Sequence, residues 1–249
     1  MSDSDISEEF LANNGITPLL SNDQNYPKKL SIVKQKNHKI FHIGNIVNYE
    51  NCVSVVGSRS CSEFGKKFAF NLAKKLVENN FTIVSGLAHG IDTHAHHGCV
   101  ESNGVGIAIM AWFHKIYPPQ NKPLFDQILE NGCGFSENLL EPEKNSRYEF
   151  LNRDKLIAAL SNVVIVVESK SKGGAKYTAD YATEKNIPVI KCKTETNDSD
   201  LIEGHKMFLA NGAREATSPE HVIELISELK EKKETKETKN NLDDFMTGP

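Results

Sequence analysis

Long apolar runs are missing from this 249-residue sequence. No stretch approaches the ~20 consecutive apolar residues that a transmembrane helix needs. The opening residues, MSDSDISEEF, lack both the basic start and the apolar segment of a signal peptide. These absences predict a protein that has no membrane segment, and we expect a cytoplasmic location.

Cysteine is scarce and irregularly placed. The five cysteines are Cys52, Cys61, Cys99, Cys133 and Cys192, and no two of them form a CxxC pair. An odd, scattered set argues against a disulfide framework and against structural zinc. We therefore expect free thiols and no bound metal.

Two common nucleotide-binding signatures are absent as well. GxxxxGK[ST] does not occur, which excludes a P-loop NTPase, and without GxGxxG nothing supports dinucleotide binding of the usual kind. Basic residues are not in excess, since the formal net charge is −4. This balance does not favour nucleic acid as a ligand, although a local basic groove is sufficient to bind it.

Six short apolar runs alternate with helical patterns in the centre of the chain. They predict strands over 52–58, 81–87, 105–110, 132–137, 162–169 and 187–192. Periodic apolar residues predict helices over 64–79 and 178–186. This alternation indicates an α/β protein with a doubly wound, mostly parallel sheet.

The flanking segments do not follow this pattern. We predict a small N-terminal extension over 1–50, one α/β domain over 51–230, and a tail over 231–249. The tail contains KEKKETKETK, which is dense in charge and nearly free of apolar residues. Such a composition favours disorder or a frayed helix, and we expect disorder.

Glycines, serines and cations follow three of the predicted strands. In an open parallel sheet, ligands bind outside the carboxyl ends of the strands. Glycine allows an anion to approach the backbone, the next helix offers unpaired N–H groups, and guanidinium matches phosphate. The sequence therefore predicts a phosphate site built from Gly57, Ser58, Arg59, Ser85, Gly86, His89, Gly90, Lys172, Gly173 and Gly174.

The second of these loops opens the histidine-rich segment GLAHGIDTHAHHG, residues 86–98. With a helix beginning near Gly90, His94 and His97 share a face, but no acidic residue is spaced to act as the general base of a zinc enzyme. We expect Asp92 to cap the helix and the histidines to serve packing or polar contacts near the ligand.

GSRSCSEFG (57–65) followed by SGLAHGIDTHAHHG (85–98) resembles the DNA-processing protein A family, also called Smf. Further agreement includes Tyr26-Pro27, Phe150 with Arg153, LIAALS (156–161) and Thr178-Ala179. The match extends over about residues 15 to 215. The resemblance implies a Rossmann-like domain that binds single-stranded DNA, forms a dimer and helps to load a RecA-type recombinase during natural transformation. We expect a binding protein and not an enzyme.

The same resemblance places further residues at the phosphate-binding edge. These are Asp92, Arg153, Lys155 and Thr178. The family pattern Arg-Asn-Arg reads Arg153-Asp154-Lys155 here, so a carboxylate stands where an amide is expected. Asp154 would repel a nearby phosphate unless it pairs with a cation.

A small-nucleotide ligand is the alternative. Related nucleotide phosphoribohydrolases carry PGGxGTxxE, of which Gly173, Gly174 and Thr178 are present, but the glutamate is not and Asp180 lies nearby. A nucleotide sensor would need only the phosphate loops, with Glu137 and Glu168 contacting a ribose or pairing with cations. Trp112, Phe113 and Tyr117 are candidates for base stacking, for a core plug or for a dimer contact.

Overall fold

The computed structural model describes residues 8–33, 37–142 and 146–246. Within them, nine strands form one sheet in the order β1-β2-β6-β5-β4-β3-β7-β8-β9. The strands are β1 (Ile16–Leu20), β2 (Lys39–Gly44), β3 (Cys52–Val56), β4 (Thr82–Ser85), β5 (Gly106–Ile109), β6 (Cys133–Ser136), β7 (Val164–Val166), β8 (Val189–Cys192) and β9 (Arg214–Ala216).

Helices cover both faces of this sheet. They are α1 (Glu8–Asn13), α2 (Glu63–Glu78), α3 (Ile91–Glu101), α4 (Lys122–Asn131), α5 (Ser146–Leu160), α6 (Ala175–Glu184), α7 (Ser199–Ala210) and α8 (Pro219–Met246). Short 3₁₀ helices occupy Lys28–Ile32 and Pro119–Asn121. Among the described residues, no helix combines the length and the apolar character that crossing a membrane requires.

The predicted α/β class with a doubly wound, mostly parallel sheet is confirmed. All six predicted strands are present as β3 to β8. They pair in parallel in the spatial order β6-β5-β4-β3-β7-β8. Every residue of these six strands is buried. Helices on both faces explain why their sequences read as continuous apolar runs instead of alternating patterns.

The N-terminal segment contributes two antiparallel strands to the same sheet. β2 pairs with β6, and β1 forms the outer edge, where Pro18 is tolerated because an edge strand need not donate on both sides. The predicted extension over 1–50 is thus joined to the sheet along one edge. Its residues 1–7 and 34–36 lie outside the described residues.

A buried hydrogen-bond chain fastens this segment to the main domain. Tyr26 Oη lies 2.5 Å from His38 Nδ1, and His38 Nε2 lies 2.7 Å from Oε1 of Glu137, just after β6. Burial, with the charge of Glu137, raises the pKa of Tyr26 to about 12. Glu137 is therefore engaged by a histidine and is not part of the cavity described below.

The predicted tail boundary at residue 230 falls inside α8, which runs on to Met246. The expected disorder over 231–246 is thus replaced by helix, while 247–249 lie outside the described residues. Lys and Glu are good helix formers, and opposite charges spaced three or four apart support a helix without an apolar face. This explains why charge density alone gave the wrong expectation.

The strand order defines where a ligand can bind. From β3 the chain builds outward through β4, β5 and β6 on one side, and through β7, β8 and β9 on the other. The loops that leave β3 and β7 therefore diverge and open a crevice at the carboxyl edge.

Candidate phosphate-binding site

A cavity of about 720 Å³ lies at this crevice. The loop after β3 and the loop after β7 form two of its walls, and the side chains of α5 form a third. The first residues of α6 also reach it. The cavity thus occupies the switch point of the sheet, where the sequence predicted a phosphate site.

The loop after β3 is held by β7. The N–H of Ser58 donates to the backbone oxygen of Glu168 at 2.6 Å. The carboxylate of Glu168, fully buried, accepts hydrogen bonds from the N–H and the hydroxyl of Ser62, at 2.9 and 2.5 Å. Ser62 in turn caps α2 by accepting from the N–H of Gly65. Glu168 therefore joins the two loops and is not a ribose ligand.

Arg59 is exposed at the mouth of the cavity. Its guanidinium carbon lies 5.3 Å from the centre of the Phe150 ring. Apart from that contact, the described residues give Arg59 no hydrogen bond and no ion pair. Its donors are free to meet an anion.

The loop after β4 supports the cavity from behind. Ser85 is buried and donates its hydroxyl to Val55 O at 2.7 Å. Gly90 has a φ of +76°, and a Cβ there would lie 2.2 Å from Ser58 O, so only glycine fits this turn. Gly86 and His89 also lie outside the cavity lining, and His89 is exposed.

Asp92 does not cap α3 as predicted. Its carboxylate reaches back into the loop and accepts the N–H of Gly86 at 3.1 Å, and the cap position is held by Gly90, which has no side chain to accept a hydrogen bond. Asp92 lines the cavity and is nearly fully buried. Its carboxylate can leave the helix terminus because Arg153 approaches it from α5.

Arg153 lies between two carboxylates. Its Nη1 is 3.7 Å from Oδ2 of Asp92, and its Nε is 3.5 Å from Oδ1 of Asp154. Phe150 packs against this guanidinium too, at 5.7 Å from the ring centre, so one aromatic ring contacts both arginines of the site. Burial raises the pKa of Asp92, and burial raises that of Asp154 to about 6 although Arg153 opposes the shift.

The loop after β7 completes the cavity. Lys172, Gly173, Gly174 and Thr178 all line it, and Lys172 is exposed without a partner among the described residues. A Cβ on Gly174 would meet nothing within 4 Å, so the backbone is open to a ligand there. Because α6 begins at Ala175, the partial positive charge at the start of this helix lies at the same wall, although the N–H groups of Lys176 and Tyr177 already donate to Gly173 O and Gly174 O.

The structure brings most of the predicted residues together. The cavity lining includes Gly57, Ser58, Arg59, Asp92, Arg153, Lys172, Gly173, Gly174 and Thr178. It does not include Lys155, whose Nζ donates to Asn152 at 3.2 Å. Lys155 follows Arg153 by two positions on α5, a rotation of about 200°, and so lies on the other side of the helix.

Sequence reasoning missed several lining residues. Phe150 was recognised only as part of a motif, and Arg147 and Lys170 were not singled out. Lys170 pairs with Asp200 at 2.9 Å, so much of its charge is already neutralised. The signal for Phe150 was available, because it lies three residues before Arg153 and therefore on the same helical face.

The aromatic candidates for stacking divide into two groups. Trp112 and Phe113 are buried, and Trp112 packs edge-on against Phe150 at 5.2 Å. Trp112 and Phe113 are therefore core residues and offer no exposed ring to a base. Tyr117 is about half exposed and lies 5.7 Å from Phe150.

The histidines of α3 are dispersed. The rings of His94 and His97 lie 6.4 Å apart on the surface, whereas His96 is fully buried. Within the described ranges, no group of three or more His, Cys, Asp or Glu side chains is placed to hold a metal ion.

The fold and the position of the cavity define a Rossmann-like α/β protein with a ligand cavity at the switch point of its sheet. A sequence model of the DNA recombination-mediator protein A family matches residues 17–227. The chain belongs to this family, which confirms the resemblance seen in its motifs.

Individual relatives agree with this assignment. Protein Smf of Synechocystis sp. is 35% identical over 213 residues, which cover 82% of this chain and 52% of that protein. DNA processing protein DprA of Streptococcus pneumoniae is 34% identical over 204 residues, covering 81% of this chain and 71% of that protein. The chain thus spans about half the length of the Synechocystis relative.

Solved structures show the same fold. The crystal structure of DprA from Streptococcus pneumoniae superposes with a TM-score of 0.75 at 31% identity, covering 88% of this chain and 77% of that chain. A Helicobacter pylori DprA structure, described for its single-stranded DNA binding mode, gives a TM-score of 0.74 at 26% identity and covers 92% and 99%. A molybdenum cofactor binding protein from Rippkaea orientalis shares only the fold, at 18% identity and a TM-score of 0.53.

Proposed function

We propose that this chain is a non-enzymatic protein that binds single-stranded DNA, with backbone phosphates held in the cavity at the carboxyl edge. The main support for this proposal is that two exposed cations, Arg59 and Lys172, lie on the two loops that diverge at the switch point. Neither has an ion-pair partner among the described residues. The open backbone at Gly174 and the partial positive charge at the start of α6 favour an anion at the same wall.

Family membership supports the choice of ligand, and so does likeness to a Helicobacter pylori protein whose single-stranded DNA binding has been described. On the same basis we propose a role in DNA processing, with a RecA-type recombinase as partner and a homodimer as the active form. A cytoplasmic location belongs to this proposal.

The described contacts do not favour the nucleotide phosphoribohydrolase alternative. Asp180, the nearest carboxylate to the missing catalytic glutamate, forms an ion pair with Lys176 and does not line the cavity. A nucleotide-binding sensor would use the same loops as DNA, so the two ligands must be compared directly.

The proposal is tested by titrating a labelled single strand and a panel of nucleotides side by side. We expect the oligonucleotide to bind and Arg59→Ala to weaken its binding about tenfold, as loss of one charged hydrogen bond implies. Arg214→Ala is the control, because Arg214 pairs with Glu228 on the surface of β9 and α8. Saturable nucleotide binding that the oligonucleotide cannot displace would overturn the proposal in favour of a sensor.

A further inference from the structure

The wall of the cavity formed by α5 differs chemically from the mouth. At the mouth, Arg59 and Lys172 form no ion pair with any of the described residues. At the α5 wall, Asp92 and Asp154 share the single guanidinium of Arg153. Two carboxylates thus lie within ion-pair distance of one guanidinium, an arrangement that complements a hydrogen-bond donor better than a phosphate.

The carboxylate of Asp154 is available to such a donor. Asp154 lines the cavity and its side chain is 15% exposed. Its contact with Arg153 Nε, at 3.5 Å, is longer than a hydrogen bond between these groups should be. Among the described residues no N–H or O–H donates to Asp154.

Arg153 carries an unmet donor at the same place. The residue is 5% exposed, and its Nε has no hydrogen-bond partner among the described residues. A buried polar atom without a partner costs free energy unless a ligand or water meets it. The α5 wall is therefore polar and incompletely satisfied on both its acceptor and its donor side.

The cavity is large enough for more than a phosphate. Its volume of about 720 Å³ is in the range of pockets that bury a whole small ligand. In a nucleotide, the phosphate and the base edge lie at opposite ends. The lining extends from the two loops to Phe150, Arg153 and Asp154, so a nucleotide whose phosphate lies between the loops has room for its base at the α5 wall.

We propose that Asp154 selects among bases by accepting a hydrogen bond from an exocyclic amino group, a selection that rests on the DNA-binding function proposed above. Cytosine presents such a donor, whereas uracil and thymine present an acceptor oxygen at the same position. An ionised carboxylate accepts hydrogen bonds but cannot donate one. It therefore attracts the amino group of cytosine and repels the carbonyl oxygen of uracil.

The charged groups that face Asp154 come from three elements. They are Arg153 on its own helix, Asp92 on α3 and Arg59 on the loop after β3. Burial raises the pKa of Asp154 to about 6. At about pH 8 the carboxylate is ionised and the selection is at its strongest.

The test compares an oligodeoxycytidine with an oligodeoxyuridine, each about 12 nucleotides long, at about pH 8 in low salt. These two strands differ at the exocyclic group of each base and share size and charge. Binding is measured by fluorescence anisotropy for the wild type, for Asp154→Asn and for Asp126→Asn. Asp126 is the control because it is a surface carboxylate on α4, paired with Lys122.

We expect the wild type and Asp126→Asn to prefer oligodeoxycytidine by on the order of tenfold, the size of one hydrogen bond to a charged group. In Asp154→Asn the preference should fall to within about twofold, because oligodeoxyuridine binds more tightly once the repulsion is removed. A variant that was merely unstable would bind both oligonucleotides more weakly and keep the ratio of the two affinities.

Equal affinity of the wild type for the two strands would overturn the selection while leaving DNA binding intact. A preference that survives in Asp154→Asn would do the same. Failure of the wild type to bind either strand would overturn the proposed function and the selection together.

Discussion

Arg153 lies so close to the backbone of Gly86 that a Cβ atom added to the glycine would be 1.2 Å from Nη1 of the guanidinium. The same glycine donates its N–H to Asp92, which Arg153 also approaches. The turn after β4 therefore fixes both an arginine and a carboxylate of the cavity wall, although it contributes little to the lining itself.

Gly86→Ala should displace Arg153 and disorder this wall. We expect the free energy of unfolding to fall by about 1–3 kcal/mol, as overpacking in a buried site does, and affinity for single-stranded DNA to fall with it. Gly174→Ala is the matched control for stability, because a Cβ there meets nothing within 4 Å and its φ of −57° suits alanine. Urea denaturation of both variants measures the difference; equal stability would show that Arg153 can move aside freely.

Replacing Glu168 should destabilise the two loops that it joins, and with them the binding site. Its buried carboxylate takes two hydrogen bonds from Ser62, and its backbone oxygen takes one from Ser58. Glu168→Ala leaves the Ser62 donors unmet and should lower the free energy of unfolding by about 3 kcal/mol, whereas Glu168→Gln keeps an acceptor and should cost less. If the two variants proved equally stable, the hydrogen bonds to Ser62 would not hold the loop.

Buried His96 should make the free energy of unfolding depend on pH. Burial lowers its pKa to about 4, against the opposing effect of the Ser85 backbone. The unfolded chain takes up a proton below about pH 6.5, while the folded chain does not until about pH 4, so stability falls over that window by about 3 kcal/mol in total. Above pH 6.5 the histidine is neutral in both states and has no effect.

Between about pH 7 and pH 5, His96→Leu should therefore lose about 2 kcal/mol less stability than the wild type. Denaturant titrations at the two pH values give this difference. The control is His89→Leu, at an exposed position, and its loss of stability between the two pH values should match that of the wild type. A His96→Leu curve parallel to that of the wild type would mean that another group carries the acid sensitivity.

Lys172 and Lys155 form a matched pair for locating the ligand. Lys172 lines the cavity, whereas Lys155 lies on the far side of α5 and donates to Asn152. Lys172→Ala should weaken oligonucleotide binding about tenfold in low salt, and Lys155→Ala should leave it unchanged. Anisotropy titrations distinguish them, and a larger loss from Lys155→Ala would move the proposed interface out of the cavity.

Much of the architecture could be predicted because the six central strands are buried on both faces. Most of them are β-branched runs, such as CVSVV and VIKC, although CGFS in β6 contains no β-branched residue. β1 and β2 were missed although ITPLL and KIFHIG are no shorter than the central strands, because an antiparallel partner elsewhere in the chain leaves no local signal. Such pairings are set by tertiary contacts and not by propensity.

The site was predictable to the extent that it consists of strand-end loops. Parallel strands bring their carboxyl ends to one edge, so Arg59 and Lys172 could be grouped without coordinates. The roles of Asp92 and Phe150 could not, because they depend on how α5 packs across that edge. Lys155 was placed wrongly for a related reason. It follows Arg153 by only two positions, but the turn of the helix directs Lys155 away from the cavity that Arg153 lines.

Phosphates that bind between Arg59 and Lys172 must make the salt dependence of binding sensitive to the loss of these two cations. The logarithm of the oligonucleotide association constant is plotted against the logarithm of salt concentration for the wild type and for the Arg59→Ala/Lys172→Ala double variant. We predict a slope that is less steep by about 1.4 in the double variant, since each lost single-strand phosphate contact removes about 0.7. An unchanged slope would contradict the account.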